Sequence, residues 1–323
     1  MPRLSIIIPC LGGPAEFDGT LVSVLQNRPA DCEVLVAHSE PYNDPYGLRG
    51  EVQFVESPAE SLVDLLNAAL DASSGEIVHV IGCGLEAREN WTVSALQHFD
   101  DRDVAAVSPV VLATDQETVL TAGIRWSLGG VRHIVTDQRV ISRGSGRLRA
   151  KILGPTLTAA FYRRDVLVAL GGFEAGLGDD LADVAMALAI QSLGRLHVAE
   201  PLSQLLQVSD HTRSHPWGFA AGRSRERLFV RSATANGWLP SLAMHVLAVA
   251  GESLHQLPRA TMLTSLAGCA AAWFELGASS VYEQRLVAAN DRLTELAELR
   301  ASVRKHPKRV RTTEIALPQR RAA

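Results

Sequence analysis

Along roughly the first two hundred residues, apolar positions fall into blocks of two kinds. Leu4 to Ile8 is an apolar, β-branched run stopped by Pro9, which predicts a parallel strand buried on both faces. After a loop at Gly12, Gly13 and Pro14, Phe17 to Gln26 places Leu21, Val24 and Leu25 on one helical face. Glu33 to Ala37 and Val52 to Val55 read as the second and third strands. Ala59 to Ala72 has Leu62, Leu65, Leu66 and Ala69 at helical spacing; Glu76 to Ile81 is a fourth strand, Trp91 to Phe99 a helix, and Val104 to Val111 a fifth strand. This alternation predicts an α/β fold with a mainly parallel sheet and right-handed crossovers.

Thr121 to Val140 is less regular and predicts two short antiparallel strands around Gly129-Gly130. Arg143, Arg147, Arg149 and Lys151 then form a basic, glycine-containing loop, either simply solvated or a lid over phosphates. The run from Gly154 to Glu200 is the richest in signals. Small residues that let two backbones approach closely come first, then an apolar segment with the pair Arg163-Arg164, then a tight turn at Gly171-Gly172-Phe173. An acidic cluster (Asp179, Asp180, Asp183) opens a helix carrying Leu181, Val184 and Leu188 that stops at Gly194, and Leu196 to Ala199 follows as a strand. A helical continuation puts Asp179 and Asp183, four apart, on one face. Acidic residues at a helix start also cap it and complement its dipole.

From about Ser209 the pattern turns helical. Phe219 to Ala235 reads as an arginine-rich amphipathic helix, and Leu239 to Gly251 and Ala260 to Phe274 as the two packed helices of an αα-hairpin. Both apolar runs are shorter than the roughly 18–20 residues that span a bilayer, and His245 interrupts the first. Leu286 to Val303 is a charged amphipathic helix, and the tail from Arg304 is basic, expected to be disordered and able to touch an anionic membrane surface. The expected organisation is an α/β domain over 1–205, a helical region over 206–303 and a basic tail over 304–323.

Composition sharpens this in three ways. With 323 residues, 47% hydrophobic and 20% charged, the chain is globular. A net charge of −4 gives no bulk attraction to nucleic acid, so no nucleic-acid partner is expected. Cys10, Cys32, Cys83 and Cys269 are dispersed, which suggests neither a zinc site nor a disulfide framework, but free thiols in a reducing, cytoplasmic setting. The N-terminus reads directly as a first strand, without a signal peptide.

The order of these motifs resembles family 2 glycosyltransferases, which have the glycosyltransferase A fold, over about residues 3 to 200. SIIIPCLGG, containing Pro9, sits where that family has a strand ending in proline; Asn67 falls on the asparagine of its "aRN.gi..A.G" helix; and IVHVIGCGLEARENW lines up with its "i.flDaDtelppdW". GGFE stands for the family's GGFDE, Ala182-Asp183-Val184 stands at its "ED" pair, and Leu193-Gly194-Arg195-Leu196 closes the match.

The resemblance implies transfer of a sugar from a nucleotide-diphosphate donor to a glycan, lipid or small-molecule acceptor, with inversion. It puts the general base on Asp183 and the nucleotide and sugar site around Pro9, His38, Asn67, Gly82, Gly84, Asp179 and Asp180. It also implies a divalent cofactor, manganese or magnesium, whose usual ligands are missing: Gly82-Cys83-Gly84 replaces Asp-x-Asp. Glycine offers no ligand and cysteine is a soft one. Glu86 is the nearest carboxylate, and His211 and His215 follow the last strand, where many family members carry a histidine near the metal. Ala37-His38-Ser39-Glu40 replaces the aspartates that hold the nucleoside, and Ala182 and Ala185 replace two acidic neighbours of the base. Two readings follow: an enzyme that neutralises diphosphate without the usual metal, with arginines from Arg143 to Lys151, or a degenerate fold kept as a binding or scaffold subunit. Side chains filling the space at Gly82 to Gly84 would favour the second. A nucleotidyltransferase is weaker, since no Gly-rich motif with a lysine follows the first strand.

Overall fold

The structure is a computed structural model that describes residues 2–40, 47–136, 152–209, 218–255, 261–275 and 278–305. The basic loop Arg143 to Lys151, the histidines His211 and His215, and the tail beyond Lys305 lie outside the described residues.

The first strand, β1 (Leu4–Pro9), is buried throughout and pairs in parallel with β2 (Cys32–His38) and β4 (Ile77–Ile81). β2 pairs in parallel with β3 (Gln53–Glu56). On the other side of β4 comes β10 (Ala159–Arg163), antiparallel, then β6 (Val104–Leu112), β11 (Leu196–Gln207) and β5 (Leu85–Ala87); β7 (Val119–Thr121) adds to β6. The nine-stranded sheet is thus ordered β3-β2-β1-β4-β10-β6-β11-β5 plus β7. β1, β2, β3, β4, β6 and β11 share one direction, so the sheet is mainly parallel, as the alternation predicted. The hairpin expected around Gly129-Gly130 is β8 (Ile124–Trp126) against β9 (Arg132–Ile134).

Strand alternation sends side chains to two apolar layers. Leu4, Ile6 and Ile8 face α1 (Pro14–Asn27) and α3 (Val93–His98), whose Phe17, Leu21 and Ala95 are buried there. Ile7, Leu35 and Val80 face α2 (Leu62–Ala72), α4 (Arg164–Ala169) and α5 (Ala182–Ser192). Full burial of each such side chain stabilises the fold by about 1.5–3 kcal/mol. The close approach expected after Gly154 is present: a Cβ there would lie 2.6 Å from that of Ala187 on α5. Gly171 and Gly172 both have positive φ, 73° and 77°, as the tight turn before Phe173 requires.

After β11 the described chain is helical: α6 (Phe219–Asn236), α7 (Trp238–His255), α8 (Thr261–Phe274) and α9 (Ala278–Lys305). The αα-hairpin expectation needs correcting. α8 packs along α6 rather than along α7. Gly222 and Gly268 make this crossing possible, since a Cβ on either would overlap a backbone carbonyl of the other helix, that of Ser265 or Phe219. The arginines of α6 face acidic partners: Arg223 and Arg227 meet Glu275, Arg225 meets Glu252, and Arg231 grips Glu174 with two bonds of 2.8 and 2.9 Å. α9 returns to the sheet layer, burying Ala289 and Leu293 beside α4, and runs two residues further than the predicted end at Val303. Among the described residues no helix is long and apolar enough to cross a membrane.

β4 also buries a histidine that sequence gave no reason to single out. His79 on β4 stacks on Phe161 with centroids 3.6 Å apart, accepts from Trp91 Nε1 at 3.0 Å, and its Nδ1–H faces the Ala160 carbonyl at 2.9 Å. Full burial pushes it from about 6.5 down to about 3. It therefore stays neutral when folded but takes a proton when unfolded, so its contribution is complete above pH 6.5 and lost as pH falls towards 3. Between pH 7 and 5 this term costs about 2 kcal/mol. His197, pushed to about 4, adds a smaller loss of the same sign because it is only part-buried. Urea denaturation at the two pH values should show the loss, reduced by about 2 kcal/mol in His79→Gln, whose amide offers one donor and one acceptor and does not titrate. An equal loss in wild type and variant would show that His79 is not its source.

Candidate functional site

The parallel register brings three strand ends together. Pro9 pairs with Ala37, one residue before His38, and Ile7 pairs with Val80, which carries β4 to Gly82 beside Pro9. Ligands in open α/β sheets bind at such carboxyl ends. Pro9, His38, Gly82 and Gly84 are therefore gathered at one edge. His38 is half-buried, its Nδ1 2.8 Å from the Glu40 carbonyl, and its ring 6.4 Å from that of Phe54. Burial, with Asp18 and Glu40 nearby, raises the Cys10 thiol, so it is a neutral group rather than a thiolate at this edge.

The Gly82 to Gly84 loop is closed in on both sides. A Cβ at Gly82 would lie 2.9 Å from that of Thr158, and one at Gly84 would overlap the Ser209 hydroxyl. Gly84 also has φ +82°, a conformation that side-chain-bearing residues rarely adopt. The Cys83 thiol donates to the Pro9 carbonyl at 3.0 Å. Glu86 lies on β5, its Oε1 3.7 Å from where Gly19 of α1 would carry a Cβ. Among the described residues no three His, Cys, Asp or Glu side chains are placed to hold a metal ion. The residues present do not fit a divalent cation of the Asp-x-Asp kind. Calorimetry with manganese or magnesium alone should show no micromolar site here, because among the described residues no pair of hard oxygen ligands stands at Gly82 to Gly84. A micromolar site abolished by Glu86→Ala would overturn that expectation.

The other site residues separate from this edge. Asn67 on α2 donates to the Phe173 carbonyl at 2.9 Å and accepts from the Phe173 N–H at 2.8 Å, so both ends of its amide hold the GGF turn. Asp179 is not on the helix of Asp183, which begins at Ala182, and the shared face expected from their spacing does not exist. Asp179 instead accepts the N–H groups of Leu62 and Val63 at 2.9 and 3.0 Å, capping α2 from another part of the chain. Asp180 lines a pocket next to the β8–β9 hairpin. Arg163 is buried, donating to the carbonyls of Phe99, Asp101 and Val104.

Asp183 sits in the first turn of α5 and is 2% exposed. Its partner is one the sequence did not indicate: Arg132 on β9 donates from Nε to both carboxylate oxygens at 3.1 Å, and from its terminal nitrogen to Oδ2 at 2.6 Å. The Val184 N–H adds a bond of 2.8 Å, and the Leu157 N–H another. Burial raises the carboxyl above its ordinary value, while the guanidinium and the two N–H groups pull it back. In this arrangement the carboxylate is held by a charge-assisted fork. It can accept a proton from a substrate only after Arg132 releases at least one oxygen. The segment joining the two halves of the site is Thr156 to Ala159: the Leu157 N–H holds Asp183, and the Thr158 carbonyl accepts from Gly82 N–H at 2.8 Å.

No protein-family model matches the chain, and no curated protein matches it. Solved structures do. The crystal structure of GalNAc-T7 with UDP, GalNAc and Mn2+ superposes with a TM-score of 0.55 at 14% identity, over 70% of this chain and 47% of that one. This chain thus spans about half the length of GalNAc-T7. The mannosyltransferase PcManGT from Pyrobaculum calidifontis, in complex with GDP-Man and Mn2+, superposes with a TM-score of 0.50 at 17% identity, over 89% of this chain and 86% of that one. The curled, mostly parallel sheet with its covering helices has the glycosyltransferase A fold.

Proposed function

We propose that the protein is glycosyltransferase-like: it binds a nucleotide-diphosphate sugar at the edge formed by Pro9, His38 and Gly82 and passes the sugar, with inversion, to an acceptor hydroxyl. The observation that carries this is the meeting of three parallel strand ends at that edge, in a fold shared with proteins solved with UDP and with GDP-Man. Asp183 is the base. As the acceptor oxygen attacks the anomeric carbon, the bond to the diphosphate breaks and the acceptor proton passes to the carboxylate, which Arg132 must first uncover. The diphosphate is neutralised without an Asp-x-Asp metal, and the arginines Arg143, Arg147 and Arg149 suit phosphate geometry. Membership of family 2 and a cytoplasmic location belong to this proposal.

A second reading has its own observation. Thr158 and Ser209 occupy the space at Gly82 and Gly84, and Arg132 grips Asp183, which is what a degenerate subunit that binds without turning over would look like. A thermal-shift panel of nucleotide sugars with and without manganese tests the first reading, because a ligand that binds the folded state stabilises it by mass action. Stabilisation by one nucleotide class without manganese, followed by product in a transfer assay, supports it. Stabilisation with no product from any acceptor supports the binding subunit. No stabilisation by any nucleotide sugar sinks the transfer reading and the binding subunit and leaves the scaffold.

A further inference from the structure

A pocket of about 360 Å³ lies where the β8–β9 hairpin, the turn from Ala175 to Leu181 and the first two turns of α6 meet. Its volume is in the range of small-molecule sites. Trp126, Val131, Leu177, Leu181 and Ala221 give it mainly apolar walls. Its polar side chains are two charged clusters and two serines, Ser224 and Ser265. Arg132 and Asp180 stand on one side, and Arg225, paired with Glu252, stands on the other. Arg225 Nε is buried and has no hydrogen-bond partner among the described residues. The Arg132 in this wall is the residue that grips Asp183.

This lining says what the pocket can take. A glycan presents hydroxyls all round and needs a polar partner for most of them, more than two charged clusters and two serines on mainly apolar walls offer. A molecule with an apolar body and one hydroxyl meets the walls with its body and Arg132 with its hydroxyl. We propose that this pocket is the acceptor site and binds an apolar alcohol or phenol of bicyclic-aromatic or medium-chain size, its hydroxyl turned to Arg132, behind which Asp183 is held. The proposal rests on the glycosyltransferase-like reading. A hydroxyl arriving at Arg132 competes for the guanidinium and supplies the exchange that frees a carboxylate oxygen. The acceptor oxygen then bonds to the anomeric carbon, the electron pair of the broken bond leaves with the nucleoside diphosphate, and the proton goes to Asp183.

The test titrates the full chain with 2-naphthol by calorimetry, beside maltotriose as a hydrophilic acceptor and the nucleotide-sugar panel as a separate measurement. Saturable one-to-one binding of 2-naphthol is expected, weakened at least tenfold in Ala221→Trp, which fills the pocket from α6. Val131→Phe, on the opposite wall, gives a second obstruction should Ala221→Trp misfold, and circular dichroism checks both. Absent 2-naphthol binding, binding unchanged in both folded variants, or tighter binding of maltotriose overturns the proposal, even if nucleotide sugars bind. If 2-naphthol binds in the pocket and no nucleotide sugar binds at all, the donor reading fails and the assignment as an acceptor site falls with it.

Discussion

Replacing Glu226 by alanine is expected to destabilise the protein by about 3–5 kcal/mol, the usual cost of removing one partner from a buried charge-bearing pair. Glu226 is 2% exposed in the middle of α6. One carboxylate oxygen takes the Trp273 Nε1–H from α8 at 2.8 Å, and the other faces His245 Nε2 from α7 at 2.9 Å. The second ring nitrogen of His245 lies 2.7 Å from the Gly129 carbonyl, in the hairpin. The one carboxylate therefore joins three helices to the α/β layer, and its loss strands a buried imidazole and a part-exposed indole N–H together. Glu226→Gln keeps an acceptor for Trp273 and a polar partner for His245, and should cost about 1–2 kcal/mol. Urea denaturation of the two variants measures the difference. Equal, small losses would mean that water replaces the carboxylate and that the helices are not fastened through it.

The alternation of strands and helices was legible because both faces of the sheet are covered. β1, β4 and β6 are buried along their whole length, so each reads as a mostly apolar run, interrupted only by Ser5, His79 and Ser108. Less legible was how the C-terminal helices pack. An apolar run marks a helix, but which neighbour it meets depends on shape. Here Gly222 and Gly268 let α6 and α8 approach until their backbones touch, and nothing in hydrophobic spacing announces that. His245 looked like an interruption of an apolar run; it is buried because a carboxylate nineteen residues away on another helix satisfies it.

The site was legible in part for a related reason. Strand ends can be placed from strand positions, so the gathering of Pro9, His38, Gly82 and Gly84 followed from the sheet. Contacts made across the chain could not be placed. Asp179 and Asp183 are four residues apart, yet one caps α2 and the other pairs with Arg132, because the helix begins between them. Arg132 lies 51 residues from its partner, in a hairpin whose presence was expected but whose side-chain directions were not. Thr158 and Ser209, which close the space over the two glycines, are small polar residues of the kind that every loop contains.

On the proposed transfer reaction, Asp183→Asn is expected to lower the rate by about 10²–10⁴-fold, the ordinary contribution of a positioned general base. Asparagine has nearly the same shape and cannot take the acceptor proton. It still accepts from Arg132, so the fold should survive with a loss of about 1–3 kcal/mol. Arg132→Ala does more to the fold, since it leaves a carboxylate that is 2% exposed without its cation, at about 3–5 kcal/mol. Asp179→Asn weakens the cap on α2 by about 1 kcal/mol and leaves transfer near its starting level. Measured together, the three variants separate chemistry from architecture. Asp183→Asn should be the one with large kinetic and small thermal effects, Arg132→Ala the one with large thermal effects, and Asp179→Asn modest in both. If Asp179→Asn abolishes transfer while Asp183→Asn does not, the base has been assigned to the wrong carboxylate. If Asp183→Asn loses stability but keeps its rate, the Arg132–Asp183 pair is a strut of the fold, and the proton goes elsewhere.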